Sequence, residues 1–496
     1  MSGLLGWGKT KRLGLIENIF WGISGEIFVR LIKFFQFIII AKFLGAEGLG
    51  IYNYGLAVVA SLSIFFDFGI LIIATKNNSK NKSPANLAPY FLLKIFTSAV
   101  GILVFCFANK IGILIADPEG VLILIVISML ILDFANLILA KYRAEHNFQK
   151  EAKFRAVVII LHILVSIALL NMGANLKQLV YCLIVINFFC VYPLLHLLWN
   201  SYRVENLWIS YHKMIKLFRQ CIPLAGISLF GALYTSADVL FLGFYFDAVT
   251  VGIYTVAMKF ILGIIITPVT FIQNAQIPNL AELAGEEWSQ NKEIIKSWRK
   301  AFFNTLFFGI FICLFFAIFA EFIILLTFGS NFESSANLLS ILTIVGLLYY
   351  IYTPFMTLLI IKDNARYAFI TQLICSLINI VILSLLIPRF GIIGAAVASI
   401  ISHLIIFIII VPITISLNKN LLYRKDIASI ILSFVIYSLV IGLMYLVDVF
   451  AQGSEIIFKL FLAILLMILF RRRFIDLSTD IKFFIKTKLV AQSKSY

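Results

Sequence analysis

Along this chain, runs of about twenty apolar residues alternate with short segments that hold the Gly, Pro and Asn clusters and most of the lysine and arginine. A helix needs about 20 mostly apolar residues to cross the ~30 Å hydrocarbon core, where each backbone polar group must be satisfied within the element itself. The pattern predicts fourteen such helices, near 18–43, 51–75, 87–109, 119–140, 154–172, 177–199, 219–245, 252–275, 301–327, 335–361, 366–387, 391–416, 427–448 and 455–470. Strict alternation of apolar and polar positions is missing, which argues against a membrane barrel. The fold class expected is an all-α polytopic membrane protein.

The loops provide a check, because short Lys- and Arg-rich connections stay in the cytoplasm. Of the 40 Lys and Arg, 31 fall in residues 1–17, 76–86, 141–155, 201–219, 276–300, 362–366, 418–425 and 471–496, which are alternate connections. A miscounted helix would scramble that alternation, so both termini are expected in the cytoplasm of a cell-membrane protein. Topology also accounts for most of the net charge of +16, reinforced by attraction to anionic lipid, and nucleic acid is not needed as a partner. With 62% apolar residues and 13% charged, a soluble globular protein is excluded, since such chains run at about 45–50% and 25%.

Other chemistry finds little support. Cys106, Cys182, Cys190, Cys221, Cys313 and Cys375 lack paired spacing, so neither zinc nor disulfides are suggested. His146, His162, His196, His212 and His403 form no ligand pattern and read as ordinary loop or interfacial histidines. No Gly-rich turn carries Lys-Ser or Lys-Thr, so a phosphate-cradling loop is absent and no cofactor or metal is expected. Lys9, Lys11 and Arg12 before an apolar stretch resemble a signal peptide, but Glu26, Arg30 and Lys33 interrupt it, and the segment reads as an uncleaved first span.

The chain repeats itself weakly. Gly50-Ile51-Tyr52 joins spans one and two, and Gly252-Ile253-Tyr254 joins spans seven and eight, an offset of six spans. An even number of spans gives the halves the same orientation, so a pseudo-two-fold axis would run along the membrane normal. The expected organisation is a six-helix lobe at 18–200, a second at 219–416, an accessory helix pair at 427–470 and a basic cytoplasmic tail at 471–496. In the tail, Ile481, Phe484, Ile485 and Leu489 against Lys482, Lys486 and Lys488 suggest a helix lying on the inner surface.

Ionisable groups inside the spans are the candidate functional residues, since each costs about 2.5–3.5 kcal/mol at bilayer depth unless it faces a cavity or a partner. They are Glu26, Arg30, Lys33, Asp67, Lys94, Asp133, Asp238, Lys259 and Glu321. Six of the nine fall on spans one, two, seven and eight, around the repeated turns. Glu26, Arg30 and Lys33 share one helical face, as do Ser63 and Asp67. Span seven carries a stripe of Ser228, Gly231, Thr235 and Asp238, and span eight one of Lys259, Gly263, Thr270 and Gln273. At a rise of about 1.5 Å per residue, Arg30 and Asp67 match in depth, as do Asp238 and Lys259, so two opposite-charge pairs are possible. Cavity lining is the reading taken for Arg30, Asp67, Asp238 and Lys259. For Glu26, Lys33 and Lys94, lining stays open beside neutralisation along the helix and snorkelling. For Asp133 and Glu321 a structural role is put ahead of cavity lining.

These residues also sit in recognisable company. The stretch Ala41-Lys42-Phe43-Leu44-Gly45-Ala46-Glu47-Gly48-Leu49-Gly50-Ile51-Tyr52, followed by Phe66-Asp67-Phe68-Gly69-Ile70, resembles the amino-terminal signature of the polysaccharide and O-antigen flippases in the multidrug, oligosaccharidyl-lipid and polysaccharide exporter superfamily. Ala237-Asp238-Val239-Leu240, the run from Val251 to Lys259, Ile277-Pro278-Asn279-Leu280-Ala281-Glu282-Leu283 and the run from Phe390 to Ser399 are similar to that family too. The resemblance implies two six-helix lobes around a central groove lined by spans one, two, seven and eight. It further implies alternating access driven by an ion gradient, H+ or Na+, with a polyprenyl-diphosphate-linked glycan as cargo and other glycan-export proteins as partners. On those four spans three acids balance three bases, whereas an anionic cargo favours a cationic surplus.

A sugar head and a diphosphate dragged unaided through hydrocarbon would lose every polar partner. The expected division of labour gives the diphosphate to Arg30, Lys33 and Lys259, with Lys94 as a further substrate-binding cation. Asp67, Asp238 and Glu26 are the coupling or gating acids. A multidrug cation antiporter of the same superfamily is the rival, with the acids as binding groups. A membrane glycan polymerase or ligase would need a sizeable outer loop with catalytic groups, and every outer loop is short, so no enzyme and no catalytic residue is expected.

Overall fold

A computed structural model describes residues 4–80, 88–144, 148–201, 207–273 and 292–450, apart from 116, 118, 271, 363, 419 and 420. Among these the chain is helical, without a strand. Span fourteen at 455–470, the basic tail and the Ile277–Leu283 motif lie outside the described residues.

The first helix, α1 (Leu4–Ser61), counts 58 residues but is broken at Gly45, whose φ of 67° and ψ of −168° turn the chain from span one into span two. Span two itself is interrupted. After α2 (Ser63–Phe66) comes a break through Asp67, Phe68 and Gly69, and α3 (Ile70–Lys80) then resumes. Spans three to seven follow as α4 (Ala88–Lys110), α5 (Val121–Ala144), α6 (Phe148–Asn171), α7 (Leu176–Ser201) and α8 (Leu207–Tyr245). Span eight starts as α9 (Ala248–Phe260) and widens into one π turn at Ile261–Ile265. Beyond lie α10 (Lys292–Ile318), α11 (Ala320–Phe328), α12 (Ser334–Ile361), α13 (Ala365–Leu417) and α14 (Arg424–Phe450). Among the described residues eight helices are long and apolar enough to cross a membrane, and a bent pair, Phe28–Ser61 with Ser63–Asn77, makes a ninth. One of the eight, Arg366–Leu417, has 52 residues, a length of about 78 Å that holds two membrane crossings. Its divide is Gly391, with φ 57°.

The chain forms two compact units. The first comprises Met1–Lys259, Thr327–Phe332 and Gln372–Ser402. Its core includes Ile70, Ile73, Tyr90, Leu93, Leu137 and Cys221, drawn from α3, α4, α5 and α8. The repeated turns meet within it. A Cβ on Gly50 would overlap the Ala248 carbonyl, and one on Gly252 would overlap the Ala46 carbonyl. Ala46 and Ala248 are separated by the same 202 residues as Gly50 and Gly252, so the contact is reciprocal. Each helix presents a small residue, three others and a second small residue, the spacing that lets backbones cross closely in lipid.

Another feature of this unit corrects the reading of His162 as a loop or interfacial residue. His162 is buried in α6, and its Nε2 lies 2.7 Å from Asn187 Oδ1. Asn187 Nδ2 donates to Ser128 O at 3.1 Å and to Ser128 Oγ at 2.9 Å. That fixes the amide's orientation, so its oxygen faces His162 and Nε2 carries the hydrogen. Ser166 Oγ donates to the His162 carbonyl at 2.7 Å and accepts from Gln36 Nε2 at 3.2 Å. Four spans are thereby joined by polar groups that the bilayer cannot otherwise satisfy.

The second unit comprises Phe260–Leu326, Glu333–Thr371 and His403–Tyr496. Trp298, Phe302 and Phe355 pack ring to ring at centroid distances of 5.2–5.4 Å. Tyr350 Oη donates at 2.8 Å to Ile265 O, at the end of the π turn. Helix α14 is anchored at two levels, by Tyr437 Oη donating to Thr343 Oγ1 and by the Arg299–Asp426 ion pair at 3.2 Å.

Candidate functional site

Three predicted bases are brought together in the first unit. Arg30 and Lys33 share the exposed face of α1, and Lys33 is within electrostatic reach of Arg30, Lys259 and Arg155. Lys259 Nζ stands 5.8 Å from the centroid of the Phe37 ring, so an aromatic face supports its charge. Arg155 is the member that sequence reading missed. Starting span five at 154 left it at the edge of a loop, but α6 begins at Phe148, and Arg155 lies inside it, one turn beyond Ala152. Ala152 packs against Gly25 of α1, and this contact brings the charged start of α6 to the charged stretch of α1.

Arg155 has an acid of its own, Glu151 at 3.0 Å, and its Nη2 donates to Asn136 Oδ1 at 3.3 Å. That acid is shared, since Arg143 clasps Glu151 with bonds of 2.6–2.9 Å. Two guanidinium groups divide one carboxylate, and a net positive charge remains.

Two of the acids, Asp238 and Asp67, go elsewhere. Asp238 is buried on α8, where its Oδ2 accepts from Tyr254 Oη at 2.6 Å. Tyr254 Oη lies 3.3 Å from Ser399 Oγ on α13. The tyrosine of the second repeated Gly-Ile-Tyr therefore serves the carboxyl that sequence analysis matched with Lys259. Asp67 sits in the break of span two, half-buried, with its Oδ1 accepting from Leu71 N at 3.3 Å. Its charged neighbours are Asp133 and Lys94. Glu26 falls on α1, and its side chain lies outside the described residues.

Lys94 is 1% exposed, and its ammonium donates to Asp133 Oδ2 at 2.6 Å and to Phe66 O at 3.1 Å. The Phe66 carbonyl is one that the break deprives of a helical donor. Asp133, expected from the sequence to have a structural role, is the counter-ion that holds this lysine. Among the described residues no group of three or more His, Cys, Asp and Glu is placed to hold a metal. The charges thus separate in part: Lys33 lies within electrostatic reach of Arg30, Arg155 and Lys259 along α1, α6 and α9, while Asp67 and Asp238 are set among local hydrogen-bond partners. The former arrangement suits an anion with several oxygens, because each guanidinium or ammonium can give it a charge-assisted hydrogen bond.

The family profile described as "Polysaccharide biosynthesis protein" matches residues 15–284. The capsular polysaccharide biosynthesis protein CapF of Staphylococcus aureus is 25% identical over 409 residues, which are 79% of this chain and 98% of that protein. Among solved structures, the lipid II flippase MurJ in an inward closed conformation has a TM-score of 0.68 at 17% identity, covering 92% of this chain and 98% of its own. An inward-facing multidrug resistance MATE transporter of the MOP superfamily reaches 0.61 at 13% identity, covering 79% and 96%. At those identities the two structures establish likeness of fold.

Proposed function

This chain belongs to the polysaccharide biosynthesis protein family, and from that premise we propose that it is a flippase carrying a polyprenyl-diphosphate-linked oligosaccharide across the cytoplasmic membrane for cell-surface polysaccharide assembly. The observation that carries the reading is the grouping of Arg30, Lys33, Lys259 and Arg155 apart from Asp67 and Asp238. A diphosphate is matched by several cations held near one another, and a cationic drug would need carboxylates where this group has bases. In this reading Arg30, Lys33 and Lys259 bind the diphosphate, and Arg155 adds positive potential behind them. The isoprenoid tail stays in lipid while the sugars cross along a polar path, so neither part is transferred into the wrong solvent.

Alternating access supplies the movement, with the halves 18–200 and 219–416 rocking about the bound head group and a gradient of H+ or Na+ as the driving force. The acids Asp67, Asp238 and Glu26 are the candidates for coupling or gating. Lys94, committed to Asp133 and Phe66, serves the break in span two. In this reading both termini face the cytoplasm, which the charge alternation in the loops supports.

The test is glycan export in cells of the source organism. Arg30→Ala and Lys259→Ala each remove a charge-assisted contact of about 1.5–3 kcal/mol, a loss of roughly tenfold or more in cargo binding. Surface polysaccharide should fall accordingly while the protein level in the membrane is unchanged. Normal surface polysaccharide in both variants would sink the assignment.

A further inference from the structure

The break in span two holds more ionic chemistry than its geometry requires. Two backbone positions in the left-handed region follow one another there, Phe68 at φ 49° and Gly69 at φ 72°. Phe68 is the only non-glycine residue with positive φ among the described residues, a conformation held by its surroundings rather than by preference. Those surroundings are tight, since a Cβ on Gly69 would lie 2.5 Å from Leu224 Cβ on α8.

Around this break stand two carboxylates and one ammonium. Lys94 gives its bonds to Asp133 Oδ2 and Phe66 O. Asp67 is left with backbone donors, of which Leu71 N is one, and with the field of a second carboxylate. The titratable groups acting on Asp67 are Lys94 from α4, Asp133 from α5 and the Cys221 thiol from α8. With both acids ionised the cluster carries one negative charge in excess at bilayer depth, a costly state. A second, separate observation points the same way. Ser98 is 5% exposed, and its Oγ has no hydrogen-bond partner among the described residues. It lies one helical turn beyond Lys94 on α4. A further turn on, Gly101 packs against Phe66, so the orphan hydroxyl faces the same break.

We propose that Asp67 is a proton-binding site built into the break of span two, with the Lys94–Asp133 pair as the fixed counter-charge that sets when it fills. One proton from water joins the Asp67 carboxylate to give the carboxylic acid, and the Lys94 ammonium keeps its three hydrogens. The cluster is then neutral. A proton suits the site better than a metal ion, because Lys94 Nζ already holds the position between Asp133 and the Phe66 carbonyl that a cation would take. Asp133 remains 24% exposed and Asp67 half-buried, so the acids are reachable while the lysine is sealed. As an account of ion coupling this rests on the transport reading. As a site it does not, and the experiment separates the two.

The experiment is infrared difference spectroscopy on the purified full-length protein in lipid nanodiscs, stepped over about pH 5–9, a range that brackets shifted carboxyl groups. A deuterium-sensitive carbonyl band of a buried carboxylic acid should grow as pH falls and be missing in Asp67→Asn. Lys94→Met removes the neighbouring positive charge and should fill the site at a proton concentration at least tenfold lower. Asp133→Asn removes the competing negative charge and should require one at least tenfold higher. A packing role for these residues would not give opposite shifts, and the shifts decide the matter even if Asp67→Asn does not fold. No titrating band in the unmodified protein, a band that survives Asp67→Asn, or a response to NaCl in place of pH would overturn the proposal. No cargo enters this measurement, so it stands or falls independently of the export result for Arg30 and Lys259.

Discussion

Replacing Lys94 by methionine keeps a long apolar stem and deletes the ammonium, leaving two groups that lose something different. Asp133 loses a cation at 2.6 Å, and the Phe66 carbonyl, on a residue only 3% exposed, loses a donor at 3.1 Å. Removing one member of a buried ion pair costs about 3–5 kcal/mol. Asp133 keeps 24% of its side-chain surface, so water recovers part of that, and about 2–3 kcal/mol is the expected share. The orphaned carbonyl adds about 1 kcal/mol, for a total of about 3–4 kcal/mol. The double variant Lys94→Met/Asp133→Leu removes both charges and should cost only about 1–2 kcal/mol, leaving the carbonyl and a packing change. Denaturant titration in mixed micelles, run as a double-mutant cycle with Asp133→Leu as the other single variant, measures the coupling, expected at about 2 kcal/mol or more in favour of the pair. Additivity within about 0.5 kcal/mol would refute the reasoning, because it would mean that ammonium and carboxylate do not depend on each other. Glycan export by the double variant adds a second decision. Retained export assigns Lys94 to the break, and lost export in a stable protein returns it to the substrate.

Tyr254→Phe removes the Oη donor to Asp238 with little change of shape and should destabilise the protein by about 1.5–3 kcal/mol, read from the same titration, with most of the loss abolished in an Asp238→Leu background. Gly50→Ala and Gly252→Ala should cost similar amounts, about 1–3 kcal/mol each, since each Cβ meets the carbonyl of the other repeat. Together they should cost less than their sum, because one substitution already parts the helices. Asp247, in the turn before α9, accepts from Thr250 N at 2.8 Å, and this bonding with Thr250 holds its carboxyl below the ordinary range. Its contribution is therefore present above the unfolded carboxyl value and is lost as pH falls through the lower folded one. Asp247→Ala should cost about 0.5–1 kcal/mol at pH 7 and nothing at a pH below that folded value, again by unfolding.

Element positions were legible because the bilayer imposes one length on every span. The segments 87–109 and 335–361 match α4 (Ala88–Lys110) and α12 (Ser334–Ile361), and the divide at Gly391 follows the visible breaker sequence Pro388-Arg389-Phe390-Gly391. Hydropathy reports length but not rotation about the helix axis. For that reason Lys94 and Asp133, 39 residues apart on different spans, gave no sign of being a pair. Arg155 was obscured by a boundary set six residues late at the start of α6. The reciprocal crossing at Gly50 and Gly252 is readable in the sequence, since Ala46 and Ala248 complete the small-residue spacing in both copies, beside the more conspicuous Gly-Ile-Tyr. The π turn at Ile261–Ile265 left no periodic signal, only Gly263 and Pro268 nearby.

Counting charges on spans one, two, seven and eight suggested a neutral cavity, but a count carries no distances. Opposite charges in contact satisfy each other and have little attraction left for a ligand, whereas like charges held together remain unsatisfied until an ion of opposite sign arrives. Lys33 beside Arg30, Arg155 and Lys259 is a case of like charges held near one another, while Asp238 is satisfied by a neutral donor, the Tyr254 hydroxyl. Asp67 stands between them, near a lysine already committed to another acid. In the proposed reading the three arrangements serve three different tasks: receiving an anion, holding helices together, and changing charge with the proton supply. Residues that look balanced in composition can therefore still, as proposed, favour an anionic head group over a cationic one.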